Sequence, residues 1–305
     1  MSTVFSISKI PESAVELVTL SNRYGHVKVA PAIGGRIISI RLESTGEELL
    51  WHNENISLQT NVSGAAYDPN FYGGIDELLP CDEPERIDGI DCPDHGELWT
   101  TPLQWEIVDD VLKLQGVLPR FGLTYTREMH LSPDKPEIIS QYRIGNPTAE
   151  TRHFLWKLHA ALPVNPGDLV ECPAVYAKPV DAAYTTCKSM EPFLWPYSGE
   201  SNKSVIPESN GTCEFLYLYE LSEGTMSFIG KESHTYFTYH FDKAVFPYPW
   251  LFQSFGGFDG HEVTVLEPCT NMPLRVNDAI KREQCASLPP LGELSTTIRI
   301  SFGKW

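Results

Sequence analysis

Short runs of alternating hydrophobic and polar residues, separated by turn residues, dominate the chain. This alternation has the period of a β-strand with one face buried. Helical periodicity is nearly absent, and only residues 277–285 fit about two helical turns. The pattern predicts an antiparallel all-β protein with few, short helices. The predicted strands are 26–30, 36–42, 123–131, 138–144, 154–162, 215–221, 235–241, 262–267 and 295–302.

One predicted pair of strands forms a hairpin. The run 36–42 leads through Ser44-Thr-Gly-Glu into 48–51. Gly46 can supply the positive φ that a short turn needs. We therefore expect 36–42 and 48–51 to pair as neighbouring strands.

The segment 67–102 differs from the rest of the chain. It contains Gly73-Gly74, several prolines and many acidic residues, and it predicts no regular strand. A connection of this length in a compact protein usually covers or builds a site. Its apolar residues, among them Phe71, Tyr72 and Trp99, need a place to be buried, so we expect the segment to pack over a site.

Composition and charge exclude several classes of protein. The chain has 305 residues, 23 Lys plus Arg against 40 Asp plus Glu, and a formal net charge of −17. Such a charge repels phosphate backbones and anionic lipid, so we expect no nucleic-acid or membrane partner. The sequence has no export signal and no apolar run long enough to span a bilayer, and no linker divides it. We expect a single domain over residues 1–305, a cytoplasmic location, and reduced thiols at all seven cysteines.

Common catalytic motifs are missing. The sequence has no GxGxxG, no P-loop, no GxSxG, no HExxH and no paired-cysteine zinc pattern. We therefore expect neither a bound metal nor a cofactor.

Four ionisable residues stand out in apolar or tightly turned surroundings. In the predicted strand 154–162, Lys157 and His159 share one face and Trp156 the other. Glu267 ends an apolar strand, and His95 lies in a turn before Gly96. Three of them have an ordinary interpretation as well: His159 as a buried histidine with a hydrogen-bond partner, His95 as a loop histidine, and Glu267 as part of a salt bridge at a sheet rim.

Taken together, several segments resemble the galactose mutarotase-like (aldose 1-epimerase) superfamily. The resemblance runs nearly end to end, and the order of the segments makes it specific. They are Gly34-Gly-Arg-Ile-Ile-Ser-Ile, Gly46-Glu-Glu-Leu-Leu-Trp51, Gly73-Gly74, Asp94-His-Gly-Glu-Leu-Trp99, Trp156-Lys-Leu-His159, Pro166-Gly-Asp168, Leu266-Glu-Pro-Cys-Thr270 and Leu291-Gly-Glu293.

The resemblance implies a β-supersandwich of two large, mainly antiparallel sheets with an open sugar-binding face. It also implies a mutarotase that interconverts the α and β anomers of an aldose, with Glu267 as general base, His159 as general acid and His95 as a sugar ligand. The family's His-Pro and His-Gly-Gly neighbourhoods are replaced here by His159-Ala160 and His95-Gly-Glu97. The chain therefore looks like a divergent, bacterial-type branch.

Anomerisation requires a proton taken from the C1 hydroxyl and one delivered to the ring oxygen, and a positioned carboxylate and imidazole can perform both transfers. We expect Glu267 and His159 to face one cavity with room for a hexose between them. Aromatic rings should contact the sugar C–H faces. The candidate substrate-binding residues are His95, Lys157, Arg86, Trp99, Tyr72 and Trp250, with Phe71 as a further aromatic candidate. The expected partner is a small-molecule sugar, and the protein is expected to be a monomer or homodimer.

Three alternatives remain open at the level of sequence. A hexose-6-phosphate mutarotase would need a cationic cluster, for which Arg36, Arg86 and Lys157 are available, although a structural ion pair is the favoured role for Arg36. A non-catalytic sugar-binding protein would need neither Glu267 nor His159. Glycan hydrolysis or elimination would use two carboxyl groups, which Asp76-Glu77, Asp82-Glu83 or the acids of 94–97 could supply.

Overall fold

The computed structural model describes residues 3–11, 13 and 15–305 and is built almost entirely from β-strands. In chain order the strands are β1 (Val4–Lys9), β2 (Glu16–Ser21), β3 (Gly25–Ala30), β4 (Arg36–Leu42), β5 (Ile75–Leu78), β6 (Glu85–Ile87), β7 (Ile90–Cys92), β8 (Gln104–Val108), β9 (Val111–Val117), β10 (Thr124–Leu131), β11 (Glu137–Gly145), β12 (Arg152–Phe154), β13 (Lys157–Pro163), β14 (Leu169–Glu171), β15 (Ala174–Pro179), β16 (Phe193–Leu194), β17 (Tyr197–Ser198), β18 (Ser201–Asn202), β19 (Thr212–Leu221), β20 (Thr225–Gly230), β21 (Thr235–His240), β22 (Trp250–Phe255), β23 (Glu262–Glu267), β24 (Ala286–Leu288) and β25 (Glu293–Lys304). One short α-helix, α1 (Val276–Lys281), and 3-10 turns at Asp68–Asn70, Leu98–Thr100 and Ala182–Tyr184 complete the elements.

Two large sheets contain most of these strands. An eleven-stranded sheet has the order β1-β2-β3-β4-β5-β13-β23-β22-β19-β15-β16, and an eight-stranded sheet has the order β14-β20-β21-β25-β11-β10-β9-β8. Neighbouring strands within both sheets run antiparallel. The predicted all-β sandwich of two large antiparallel sheets is confirmed.

The core lies between the two sheets, where inward-facing side chains from both bury their apolar surface. Tyr125 on β10 and Tyr142 on β11 reach across from the eight-stranded sheet, and Trp156 approaches them just before β13. All three hydroxyl or indole groups donate to the buried carboxylate of Glu77 on β5, with donor-acceptor distances of 2.9 to 3.1 Å. Arg127 adds an ion pair to Glu77 at 2.8 Å. The two sheets are therefore joined by this buried polar network around Glu77 as well as by apolar contacts.

Two strand predictions hold only in part, for physical reasons. The predicted strand 154–162 is divided, because the Trp156 N–H donates to the Thr270 hydroxyl oxygen and not to a carbonyl of a neighbouring strand. β12 pairs with β24 in a small separate sheet, and β13 enters the large sheet. In the predicted hairpin, 48–51 does pair with β4, through an antiparallel bridge between Arg41 and Glu48 and a bond of 3.0 Å from the Leu49 N–H to the Ile40 carbonyl, but it does not continue as a strand. The Glu48 carboxylate accepts from the Ile40 and Leu50 N–H groups and so takes donors that a second strand would use.

The segment 67–102 is also more ordered than predicted. It contributes β5 to the middle of the large sheet and a small hairpin of β6 and β7. β5 was missed because Asp76 and Glu77 are consecutive acids within only four residues, a pattern that does not predict a buried strand. Each acid is buried with its own arginine, Asp76 with Arg36 and Glu77 with Arg127.

Candidate active site

A row of cross-strand neighbours, Arg36, Asp76, His159 and Glu267, crosses the middle of the eleven-stranded sheet. The β4–β5 register places Arg36 opposite Asp76, and Asp76 pairs with His159 on β13. The β13–β23 register, which pairs Ala160 with Leu266, places His159 opposite Glu267. Cross-strand neighbours have side chains on the same face of a sheet. Residues far apart in sequence therefore converge because the strands are adjacent.

A cleft of about 370 Å³ opens on this face of the sheet. Its floor is formed by side chains of β13, β23, β22 and β19, and its rim by the segment 67–102. The segment's expected position over a site is thus matched by its place at this cleft. The lining residues used below are Tyr67, Asp68, Phe71, Asp82, Asp94, His95, Lys157, His159, Phe252 and Glu267.

His159 and Glu267 lie side by side at the floor. His159 Nε2 is 3.9 Å from Glu267 Oε1, and the two residues are 7% and 1% exposed. This gap is too narrow for a pyranose ring, so the expected placement of a hexose between them is wrong. The reason is that they come from adjacent strands, which lie less than about 5 Å apart. A sugar would instead lie over both groups.

Burial moves the proton affinities of the two groups toward each other. It raises the pKa of Glu267 above its ordinary value, an effect that the nearby Lys157 opposes. Burial also lowers the pKa of His159 well below its ordinary value, and Lys157, His95 and Arg36 lower it further. Desolvation disfavours the charged form of both groups, which explains the opposite directions.

His95 is held at the rim by an aromatic and a charged neighbour. Its ring stacks on Tyr67 with 4.0 Å between centroids and 6° between planes. Its Nδ1 is 2.8 Å from Asp94 Oδ1, while the second oxygen of Asp94 accepts from the Tyr67 N–H at 2.7 Å. His95 has a φ of 55°, a left-handed conformation, and the next residue, Gly96, packs against the Leu79 backbone, where a Cβ would lie 2.3 Å from the Leu79 carbonyl oxygen.

Tyr67 links this rim to the floor, and it is not among the predicted site residues. Its hydroxyl donates to Asp76 at 2.7 Å and lies 3.4 Å from His159 Nδ1. The only signal in the sequence is that Tyr67 begins an aromatic stretch with Phe71 and Tyr72. Asp82 was considered only as a glycosidase acid, but it bonds Lys157 Nζ at 2.6 Å.

The predicted site residues separate into two groups. His95, Lys157, His159 and Glu267 line one cleft, together with Phe71. The remaining candidates, Trp99, Trp250, Tyr72 and Arg86, do not line it.

Trp99 and Trp250 lie just behind the cleft. Both are buried, and their indole N–H groups donate to backbone carbonyls of Asp94 and Asn271. Trp99 packs edge-on against Tyr67, and Trp250 lies under Lys157, so each supports a lining residue.

Tyr72 and Arg86 lie elsewhere. Tyr72 packs against His52 beside a separate, smaller cavity. Arg86 is exposed on the β6–β7 hairpin, where it donates to the Gly89 carbonyl. The sequence could not separate these positions, because nothing in it states which way the turns at either end of β5 run.

The described residues contain no group of three or more His, Cys, Asp or Glu side chains arranged to hold a metal ion. Nor does the described part of the chain contain a helix long and apolar enough to cross a membrane. The seven cysteines are free thiols.

The sequence matches no known family model and no curated protein. Solved structures do match it over nearly the whole chain. A galactose mutarotase-like protein from Clostridium acetobutylicum superposes with a TM-score of 0.73 at 14% identity, covering 100% of this chain and 99% of that chain. The chain has the galactose mutarotase-like fold.

Two further structures with this mutarotase-like fold are described as proposed aldose 1-epimerases. The Klebsiella pneumoniae protein has a TM-score of 0.76 at 14% identity and covers 99% of this chain and 84% of that chain. The Escherichia coli K12 protein has a TM-score of 0.71 at 15% identity and covers 99% of this chain and 100% of that chain. At such identities the similarity establishes the fold, so the chemistry has to be argued from the cleft itself.

Proposed function

We propose that the protein is an aldose 1-epimerase, a mutarotase that interconverts the α and β anomers of a free aldose. The observation that carries this proposal is the pairing of His159 Nε2 with Glu267 Oε1 at 3.9 Å on the floor of the cleft. The hydroxyl oxygen and the ring oxygen that exchange protons in anomerisation are both bonded to C1. An acid and a base placed side by side suit two oxygens that are themselves neighbours.

Ring opening and ring closure each need two proton transfers, one at Glu267 and one at His159. Glu267 takes the proton of the C1 hydroxyl while protonated His159 gives its proton to the ring oxygen. The C1–O5 bond breaks and C1 becomes an aldehyde. Rotation about C1–C2 presents the other carbonyl face, the C5 hydroxyl attacks it, and the two side chains return the protons with their roles exchanged. Each positioned transfer contributes roughly 10²–10⁴-fold to the rate.

The pKa directions favour this exchange of roles. Burial raises the pKa of Glu267 and lowers that of His159, so it disfavours the charged form of each group. A single proton shared by the pair then supplies the acid and leaves the other group as the base. Burial therefore favours protonated Glu267 with neutral His159, the state of the pair that ring opening produces and ring closure uses.

The cleft favours an uncharged aldose over a phosphorylated one. Its acidic lining residues include Asp68, Glu83 and Asp181 in addition to Glu267. Among the described residues that line the cleft, Lys157 is the one lysine or arginine, and two carboxylates already bind it. Arg36 is bound to Asp76 and Arg86 lies outside, so the cationic cluster that a 6-phosphate needs is not assembled.

Aromatic residues give the cleft its apolar part. Phe71 and Phe252 line it, and Phe71 packs edge-on to His159 with 5.5 Å between centroids. Aromatic rings placed beside polar groups are the usual means of binding the C–H faces of a small ligand together with its hydroxyls.

The test is the anomerisation of freshly dissolved α-D-galactose and α-D-glucose, followed by polarimetry or NMR exchange, with galacturonate and glucose 6-phosphate in the same panel. We expect acceleration with at least one neutral aldose. Sugar binding without acceleration of any member would instead indicate a non-catalytic binding protein.

A further inference from the structure

Lys157 is a buried lysine that faces the proposed base. It lies on β13 two residues before His159 and is 2% exposed. Its Nζ is 2.7 Å from Glu267 Oε2 and 2.6 Å from Asp82 Oδ1. On a third side it lies over the Trp250 ring, 4.3 Å from the centroid. The ammonium group is thus surrounded by two carboxylates and one aromatic face.

This arrangement gives Lys157 little capacity to bind a sugar hydroxyl, the role predicted from sequence. Its Nζ donates a charge-assisted hydrogen bond to Asp82 and forms a buried ion pair with Glu267, and charge-assisted hydrogen bonds are the strong ones. Its partner Glu267 belongs to the reacting pair, whereas Asp82 does not contact that pair closely. Asp82 therefore serves as an anchor that places the lysine charge beside Glu267.

We propose that Lys157, anchored by Asp82, is a positioning residue that holds the Glu267 carboxylate at the cleft floor and keeps a positive charge beside the Glu267–His159 pair. This inference rests on the proposed mutarotase function. It assigns to Lys157 a role that a sugar-binding cleft without acid-base chemistry would not need.

The groups packed around the pair determine the direction of the effect. Lys157 favours ionised Glu267 and disfavours protonated His159, so it lowers the pKa of both. Asp82 opposes this at Glu267, while His95 lowers the pKa of both groups and Arg36 that of His159. The remaining titratable neighbours are Cys269 next to Lys157, and Asp76 with Tyr67 on the far side of His159.

A neutral side chain at position 157 should therefore raise both pKa values. In the pH dependence of kcat/KM, the limb where Glu267 becomes protonated and the limb where His159 loses its proton should both move to higher pH. An opposite charge at this distance typically shifts a carboxyl pKa by about one to three units, and we expect movement of at least about one unit.

The experiment compares the pH profiles of wild type, Lys157→Met, Lys157→Gln and Lys157→Arg with a neutral aldose. Lys157→Met should move both limbs up, whereas Lys157→Arg keeps the charge and should leave them near wild type. Lys157→Gln removes the charge but keeps a polar side chain between the two carboxylates, and it should move both limbs up as well. If Lys157→Met does not fold, the upward shift in Lys157→Gln still tests the proposal.

Lys203 offers a matched control. It is also a buried lysine, paired with Glu214 in the same sheet, but outside the cleft lining. Lys203→Met should lower stability without moving either limb. An unmoved profile in folded Lys157→Met or in folded Lys157→Gln would overturn the inference, even if Glu267→Gln abolishes activity. Absence of anomerisation by wild type would instead refute the proposed function itself.

Discussion

His159 and Glu267 face each other across two antiparallel strands, with His159 Nε2 3.9 Å from Glu267 Oε1. The register that pairs Ala160 with Leu266 produces this contact directly. It places the two groups beside one another instead of on opposite sides of a bound ring. A sugar above them would present its C1 hydroxyl and ring oxygen to neighbouring partners, and several measurable consequences follow from that geometry.

The pH dependence of kcat/KM should have a narrow maximum below neutral pH. The pKa of Glu267 is raised above its ordinary value of 4.5, so the base is lost as pH falls through that raised value. The pKa of His159 is lowered below its ordinary value of 6.5, so the acid is lost as pH rises through that lowered value. The apparent values belong to the pair and not to either group alone. Initial rates from pH 4 to 9 test this, and a maximum at pH 8 would contradict it.

Charge on the substrate should reduce catalysis. An anion about 10 Å from one uncompensated carboxylate is disfavoured by roughly 1–2 kcal/mol at an effective dielectric of about 20. We therefore expect kcat/KM for glucose 6-phosphate or galacturonate to be at least roughly tenfold below that for the neutral aldose. Asp68 lines the cleft among other acidic residues, and burial together with these acids raises the pKa of Asp68. Asp68→Asn should therefore reduce the difference in kcat/KM between neutral and anionic sugars. Equal rates for neutral and anionic sugars would show that the cleft field does not act on the substrate.

Tyr67 should contribute through its hydroxyl as well as its ring. Tyr67→Phe removes the donor to buried Asp76 and keeps the ring that stacks on His95. A lost hydrogen bond to a charged group costs about 1.5–3 kcal/mol, which denaturant unfolding can measure. Tyr67→Ala should also raise KM, since His95 loses its stacking partner. If both variants have the same KM, the stack does not position His95.

The buried polar network around Glu77, on the core side of the sheet, should affect the stability of the fold and not the anomerisation rate. Glu77→Gln leaves Arg127 buried without its counter-ion, and breaking such a pair costs about 3–5 kcal/mol. Anomerisation per folded molecule should be preserved, because Glu77 faces the core and not the cleft. Asp278→Asn, which breaks an exposed pair with Lys281, is the control and should change stability little. A large loss of activity in folded Glu77→Gln would contradict this separation.

The sequence predicted the all-β sandwich well because short runs rich in β-branched residues and bounded by turn residues predict strands, and the observed bounds of β4 and β23 are those predicted. β5 was not predicted because its acids, Asp76 and Glu77, can be buried only when Arg36 and Arg127 pair with them. These arginines lie 40 and 50 residues away along the chain. A local pattern cannot reveal partners supplied by other strands.

The candidate site shows the same limit. Lys157 and His159 were placed on one face by their spacing in a strand, and both line the cleft. Tyr72 and Arg86 had to be chosen by residue type, and the turns around them lead away from it. The distance between Glu267 and His159 depends on which strands are neighbours, which residue spacing does not encode.

The most direct test of the acid-base pair is the anomerisation rate of Glu267→Gln and His159→Asn beside wild type, with the neutral aldose that wild type accelerates most. Circular dichroism and denaturant unfolding establish that the variants are folded. We predict that each variant loses roughly 10²–10⁴-fold in kcat, and that the double variant loses little more than the worse single one, since the two groups act as a unit. Near wild-type rates in either folded variant would contradict the assignment of Glu267 and His159 as the catalytic pair.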